Sequence, residues 1–202
     1  MIRGSRRDFL KTVAAGATAA PTILRAQAGG TRQNVAANDR IRVALFGVGI
    51  RGQQDVRSAL KTPGVELVAA ADVYDGRLTL AKELWGGHLF TTRDYRQVLA
   101  RPDVDAVIIA TPDHWHMQMA VDAMKAGKDV YVEKPMVQEL DEGPRIIDAA
   151  RQTGRIVQVG SQHVSSIVYA KARALFRAGA IGELNLVEAW INRNSSMGAW
   201  QY

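Results

Sequence analysis

Ile41-Arg42-Val43-Ala44-Leu45-Phe46-Gly47-Val48-Gly49-Ile50-Arg51-Gly52 is the stretch that decides the fold: an apolar, β-rich run that feeds straight into Gly47-x-Gly49-x-x-Gly52. A dinucleotide-binding crossover begins this way. Gly47 permits the tight strand-to-helix turn, Gly49 lets the backbone approach a pyrophosphate, and Gly52 lets helix and sheet pack closely. The helix N-terminus, with Ile50 and Arg51 in its first turn, then presents amides to the phosphates. A second apolar run, Val65 to Ala71, ends at Asp72, 20 residues beyond Gly52, where an acidic side chain meets the adenosine ribose hydroxyls. The competing reading is a glycine-rich turn in an unrelated α/β protein. The order strand, glycines, helix, acid argues against it.

Outward from this core the periodicity alternates. Strands are expected near 41–46, 65–71, 105–110, 129–133 and 156–159. Helices are expected near 51–61, 75–84, 94–100, 115–126 and 140–153, with Gly127 and Gly154 where C-terminal caps belong. Short strands that are apolar throughout and alternate with helices imply an α/β fold, a doubly wound parallel sheet covered on both faces. No internal repeat is present.

Residues 1–28 stand apart. Ser5-Arg6-Arg7-Asp8-Phe9-Leu10-Lys11 is a twin-arginine export signature, Thr12 to Leu24 is a mildly apolar, Ala-rich run, and Ala26-Gln27-Ala28 offers small residues for cleavage. The expected destination is the periplasm or another exported location, with the twin-arginine translocase as a transient partner; an uncleaved signal anchor is the alternative. Residues 29–40, rich in Gly, Gln and Asn, read as a flexible arm. Without residues 1–28 the net charge falls from +6 to +2, so the high pI carries no argument for a nucleic-acid partner. The chain has no Cys, which excludes disulfides, thiolate nucleophiles and Cys-type metal sites.

Two further clusters lie at strand ends, which line the ligand crevice of a doubly wound sheet. Thr111-Pro112-Asp113-His114-Trp115-His116 follows the strand Val107 to Ile109. Asp113 reads as a cap for the next helix, and His116 lies in its first turn. His-x-His also suits a metal, but no third ligand has an obvious spacing, so no metal site is expected. Plain packing roles are the alternative for both histidines. The other cluster, Asp129-Val130-Tyr131-Val132-Glu133-Lys134-Pro135, puts Lys134 at the end of a buried strand. There a Lys can hydrogen-bond a substrate hydroxyl and move its proton as hydride leaves the same carbon, given partial burial or a neighbouring charge. Glu133 either orients it or faces the other side of the strand.

Together these clusters resemble the Gfo/Idh/MocA family of nicotinamide-dependent oxidoreductases over about residues 41–192. Gly47 to Gly52 resembles the family's dinucleotide fingerprint, and Asp72 with Arg77 its ribose and adenine contacts. Thr111-Pro112-Asp113-His114-Trp115-His116 resembles its Thr-Pro-Asn-x-x-His signature, with Asp113 in place of Asn. Ala126 to Pro135 resembles its Ala-Gly-Lys-x-Val-x-x-Glu-Lys-Pro hallmark. The resemblance implies a catalytic or substrate-orienting Lys134, a His116 close to the nicotinamide, cofactor contacts from Thr111, Pro112, Asp113 and Glu133, and a homo-oligomer. A carboxylate at the ribose repels a 2′-phosphate, so NAD is the expected cofactor; Arg77 or Arg51 can neutralise that phosphate, which keeps NADP open.

In the family a second, α+β substrate domain follows the nucleotide domain. Here residues 160–202 are expected to hold its beginning, with a helix near 165–178 and a strand from Leu184 to Ile191, and the chain is expected to be an amino-terminal part of a longer enzyme. Three functions stay open: an exported oxidoreductase moving hydride between NAD(P) and a sugar, cyclitol or related polyol; a redox-neutral, NAD-dependent glycosidase; and a non-catalytic nucleotide-binding module.

Overall fold

Strands that are apolar on both faces need cover on both sides, and the computed structural model, which describes residues 39–190, supplies it with helices. The strands are β1 (Ile41–Phe46), β2 (Val65–Ala71), β3 (Phe90–Thr92), β4 (Ala106–Ile109), β5 (Asp129–Val132) and β6 (Val157–Val159). All pairings are parallel, in the order β3-β2-β1-β4-β5-β6. Strand order reverses between β1 and β4, so a ligand crevice opens at their carboxyl ends. The expected doubly wound sheet is the observed one.

The helices are α1 (Ile50–Ala59), α2 (Asp75–Trp85), α3 (Tyr95–Leu99), α4 (His116–Lys125), α5 (Glu142–Thr153) and α6 (Ile167–Arg177). Alternate residues of each strand serve opposite faces. Val43, Leu45, Leu67 and Ile108 pack with Val56 of α1 and Ala81 of α2. Ala44, Phe46, Val107, Ile109, Val130 and Val132 pack with Met119, Ala120, Ala123 and Met124 of α4 and with Ile146 and Ala149 of α5. Gly154 ends α5 in the left-handed region, its N–H bonded to the Ala150 carbonyl, as its place in the sequence suggests. Lys128 is buried, and its Nζ donates to the carbonyls of Arg101 and Val104, both at 2.8 Å. This Lys of the Ala-Gly-Lys run fastens the start of β5 to the loop before β4.

Three features depart from the sequence reading. β3 has only three residues, too few to show a period, and it forms because Phe90, Thr91 and Thr92 extend the edge of β2. A 3₁₀ turn, Asp113–Trp115, precedes α4. Leu184–Trp190 is not a strand and lies exposed, since a lone extended segment has no neighbour to take its N–H and C=O groups. The expected export signal at residues 1–28, all but the last two residues of the expected arm at 29–40, and Ile191–Tyr202 lie outside the described residues. α6 buries none of its residues.

Candidate active site

The glycine turn comes first. Gly47 has φ +87°, and a Cβ placed there would lie 2.6 Å from the Ala110 carbonyl oxygen and 2.9 Å from the Thr111 nitrogen. Only glycine lets β1 turn this close to the end of β4. A Cβ on Gly52 would collide with the Gly47 carbonyl, so this residue sets how closely α1 meets the turn. Gly49 is different, because its nearest neighbour is the Arg77 guanidinium at 3.9 Å. It occupies the N-cap of α1, and no side chain caps the helix there. The first-turn amides, those of Ile50 and Arg51 included, therefore lack a side-chain acceptor beside an open glycine, a donor set that fits a pyrophosphate.

Asp72, at the end of β2, is buried. Its carboxylate accepts from Val48 N at 2.8 Å and from Tyr74 N at 2.9 Å, and Arg77 Nη1 lies 3.6 Å from Oδ2. It thus ties the glycine turn to the β2 end while facing a cleft of about 410 Å³ whose walls include Phe46, Gly47, Arg77, Thr111, Pro112 and Trp115. Arg93, Asp94, Tyr95 and Arg96 also line this cleft, and the sequence reading missed them. Their position follows from β3. The one local signal was Asp94, which N-caps α3 by accepting from Arg96 N at 3.0 Å.

The Thr111–His116 segment differs from its expected form. Asp113 does not cap α4, because the 3₁₀ turn moves it into the first turn and no side chain caps the helix; Asp113 and His114 are exposed. His116 is 1% exposed, with Nδ1 2.6 Å from the Pro135 carbonyl and Nε2 2.8 Å from the Thr111 carbonyl. Both ring nitrogens are committed to the main chain. The resemblance implies a His116 close to the nicotinamide and able to act there; in the structure its ring bridges the Thr111 and Pro135 carbonyls at the ends of β4 and β5, which leaves neither ring nitrogen free for a catalytic role. Among the described residues no group of three or more His, Asp or Glu side chains could hold a metal.

Lys134 stands exposed just past β5, next to a cis Lys134–Pro135 bond. Among the described residues no carboxylate pairs with it, and none supplies the partial burial that proton transfer calls for. Glu133 turns the other way and is buried. Its Oε1 accepts from Arg51 Nη2 at 2.6 Å and from the Tyr131 hydroxyl at 3.2 Å, and its Oε2 accepts from Lys134 N at 3.3 Å. The same Arg51 Nη2 lies 2.8 Å from Asp55 Oδ1. Arg51 and Glu133, read from sequence as cofactor contacts, thus spend their side chains on each other, and Arg51 is not placed to neutralise a 2′-phosphate. Burial, followed by the charge of Glu133, pushes the Asp55 carboxyl up to about 6 against the pull of Arg51. Burial and the charges of Asp55 and Glu133 push the Tyr131 hydroxyl up to about 12. Asp55 and Tyr131 carried no signal in the sequence, since one is an ordinary helix position and the other an ordinary strand position.

Comparison with known proteins fits this geometry. Residues 41–161 match the family model described as "Oxidoreductase family, NAD-binding Rossmann fold". The chain is 35% identical to the scyllo-inositol 2-dehydrogenase (NAD(+)) of Bacillus subtilis, over 71% of this chain and 42% of that one. It is 34% identical to the alpha-N-acetylgalactosaminidase of Shewanella oneidensis, over 71% of this chain and 33% of that one. The crystal structure of scyllo-inositol dehydrogenase from Lactobacillus casei with bound NAD(H) and scyllo-inositol superposes with a TM-score of 0.66 at 27% identity, over 71% of this chain and 43% of that one. The chain therefore spans less than half the length of the relatives it matches. A matched family model, the 3-2-1-4-5-6 strand order and an open glycine turn beside a buried acid agree: the chain belongs to the Gfo/Idh/MocA oxidoreductase family, whose amino-terminal domain is an NAD-binding Rossmann fold.

Proposed function

We propose that this chain is the cofactor-binding part of an exported oxidoreductase that moves hydride between NAD and a CH–OH carbon of a cyclitol, sugar or related polyol. The observation that carries the reading is the placement of Lys134. It stands at the carboxyl end of β5, on the same end of the sheet as the open Gly49 turn and the Asp72 cleft. Bound NAD⁺ supplies the hydride acceptor. As the carbon gives up hydride, Lys134 Nζ takes up the hydroxyl proton, leaving a carbonyl, and later releases it to water. Asp72, accepting from the ribose hydroxyls, favours NAD over NADP. Export rests on Ser5 to Lys11.

A redox-neutral glycosidase is the second reading, favoured by the 34% identity to the Shewanella oneidensis enzyme. The product from the native host, incubated with NAD⁺ and a panel of inositols and glycosides, separates the readings. NADH accumulation with a free polyol supports the oxidoreductase, sugar release without NADH supports the glycosidase, and cofactor binding without turnover leaves a nucleotide-binding module. Lys134→Ala should abolish turnover and keep NAD affinity within about threefold, because it removes the proton acceptor and no phosphate contact. An unchanged rate removes Lys134 from the mechanism.

A further inference from the structure

We propose that Arg51 and Glu133 form a strut, buried at its Glu133 end, that positions Lys134 against the cofactor turn, so that cofactor binding at the first turn of α1 and the placement of Lys134 act as one unit. This rests on the oxidoreductase reading and adds positioning residues to it. Arg51 is the second residue of α1, in the turn whose amides face the pyrophosphate site. Its guanidinium turns away from that site and crosses to the end of β5, bonding Glu133, the residue immediately before Lys134. Glu133 is fixed from three sides, by Arg51, by Tyr131 and by the Lys134 main-chain nitrogen. Gly160 closes the fourth, since a Cβ there would lie 2.7 Å from the Tyr131 hydroxyl and 2.9 Å from the Glu133 carboxyl carbon.

The cluster is poorly built for stability. Arg51 Nε and Asp55 Oδ2 are buried without a partner, and two carboxylates share one guanidinium nitrogen. Desolvating such a group costs about as much as the pairing returns, so retention for geometry is the better account. Both carboxylates meet Nη2, whose protons lie fixed in the guanidinium plane, a directional constraint that a freely rotating lysine ammonium does not reproduce.

The test is the rate at which an amine-acylating reagent labels Lys134, read by peptide mass spectrometry on the full chain with and without NADH. At NADH one hundred times its Kd only about 1% of the chain is free, so labelling of wild type should slow by about tenfold or more. In Arg51→Gln and in the milder Arg51→Lys, each at its own saturating NADH, the slowing should fall below about threefold, because the loop carrying Lys134 no longer follows the turn. A purely structural role lowers stability but leaves protection at saturation unchanged, and that result overturns the proposal. Wild type that binds NADH without protecting Lys134 overturns it too. If neither variant binds NADH, the strut serves the glycine turn and not Lys134, which again overturns it. A wild type that fails to bind NADH removes the oxidoreductase reading itself and the strut with it.

Discussion

Replacing Gly47 with alanine tests the geometry of the glycine turn, because two separable costs meet there. The first is conformational: φ is +87°, and an L-residue in the left-handed region costs about 1–2 kcal/mol. The second is steric. The new methyl would lie 2.6 Å from the Ala110 oxygen, 2.8 Å from its carbonyl carbon and 2.9 Å from Thr111 N, all main-chain atoms of the β4 end that cannot rotate aside. Overpacking of this kind costs about 1–3 kcal/mol, so Gly47→Ala should lose about 2–5 kcal/mol in total. Gly127→Ala is the internal control. Its φ is +77°, yet nothing lies within 4 Å of the added methyl, so only the conformational cost of about 1–2 kcal/mol applies. Urea unfolding of both variants, followed by circular dichroism and extrapolated to water, gives the two losses. If Gly47→Ala loses no more than Gly127→Ala, the close approach of β1 to β4 is wrong, and with it the reason for glycine at this position.

Two more outcomes follow from buried polar groups. Asp55 holds its proton up to about pH 6 in the fold, against an ordinary value of 3.8, so the folded state binds a proton that the unfolded chain has released between those values. Stability should therefore fall by about 1–3 kcal/mol as pH rises through that window. Asp55→Asn should lack this component, and equal slopes of stability against pH from 4 to 7 in both proteins would refute it. Lys128→Met keeps the stem but leaves the Arg101 and Val104 carbonyls without a donor, so thermal and urea unfolding should show a loss of about 2–4 kcal/mol. A loss below 0.5 kcal/mol, the level of an ordinary surface change, would mean that water satisfies those carbonyls.

Much of the fold and part of the site were legible in the chain, for a reason that particular residues make plain. The runs Ile41–Phe46 and Val65–Ala71, the glycine spacing after the first and Asp72 after the second are local patterns. A parallel strand buried on both faces must be apolar throughout, and a turn this tight must be glycine. Lys134 and the Thr111–His116 segment were legible as strand-end positions because a doubly wound sheet puts its crevice at carboxyl ends. β3 was not, since three residues carry no period and Phe90 extends only because Ala69 pairs beside it.

What each side chain does at those positions was decided by contacts between distant parts of the chain. Arg51 and Glu133 lie 82 residues apart, and nothing in their spacing says that the guanidinium crosses to β5 instead of facing a phosphate. His116 became a lock between two main-chain carbonyls once β4 and β5 stood side by side. The sequence by itself determined the order of strands, glycines and strand-end functional groups, because backbone conformation and burial act within a few residues. Only the tertiary structure decided which polar groups meet, because a buried hydrogen bond or ion pair belongs to whichever partner the packing brings within about 3 Å.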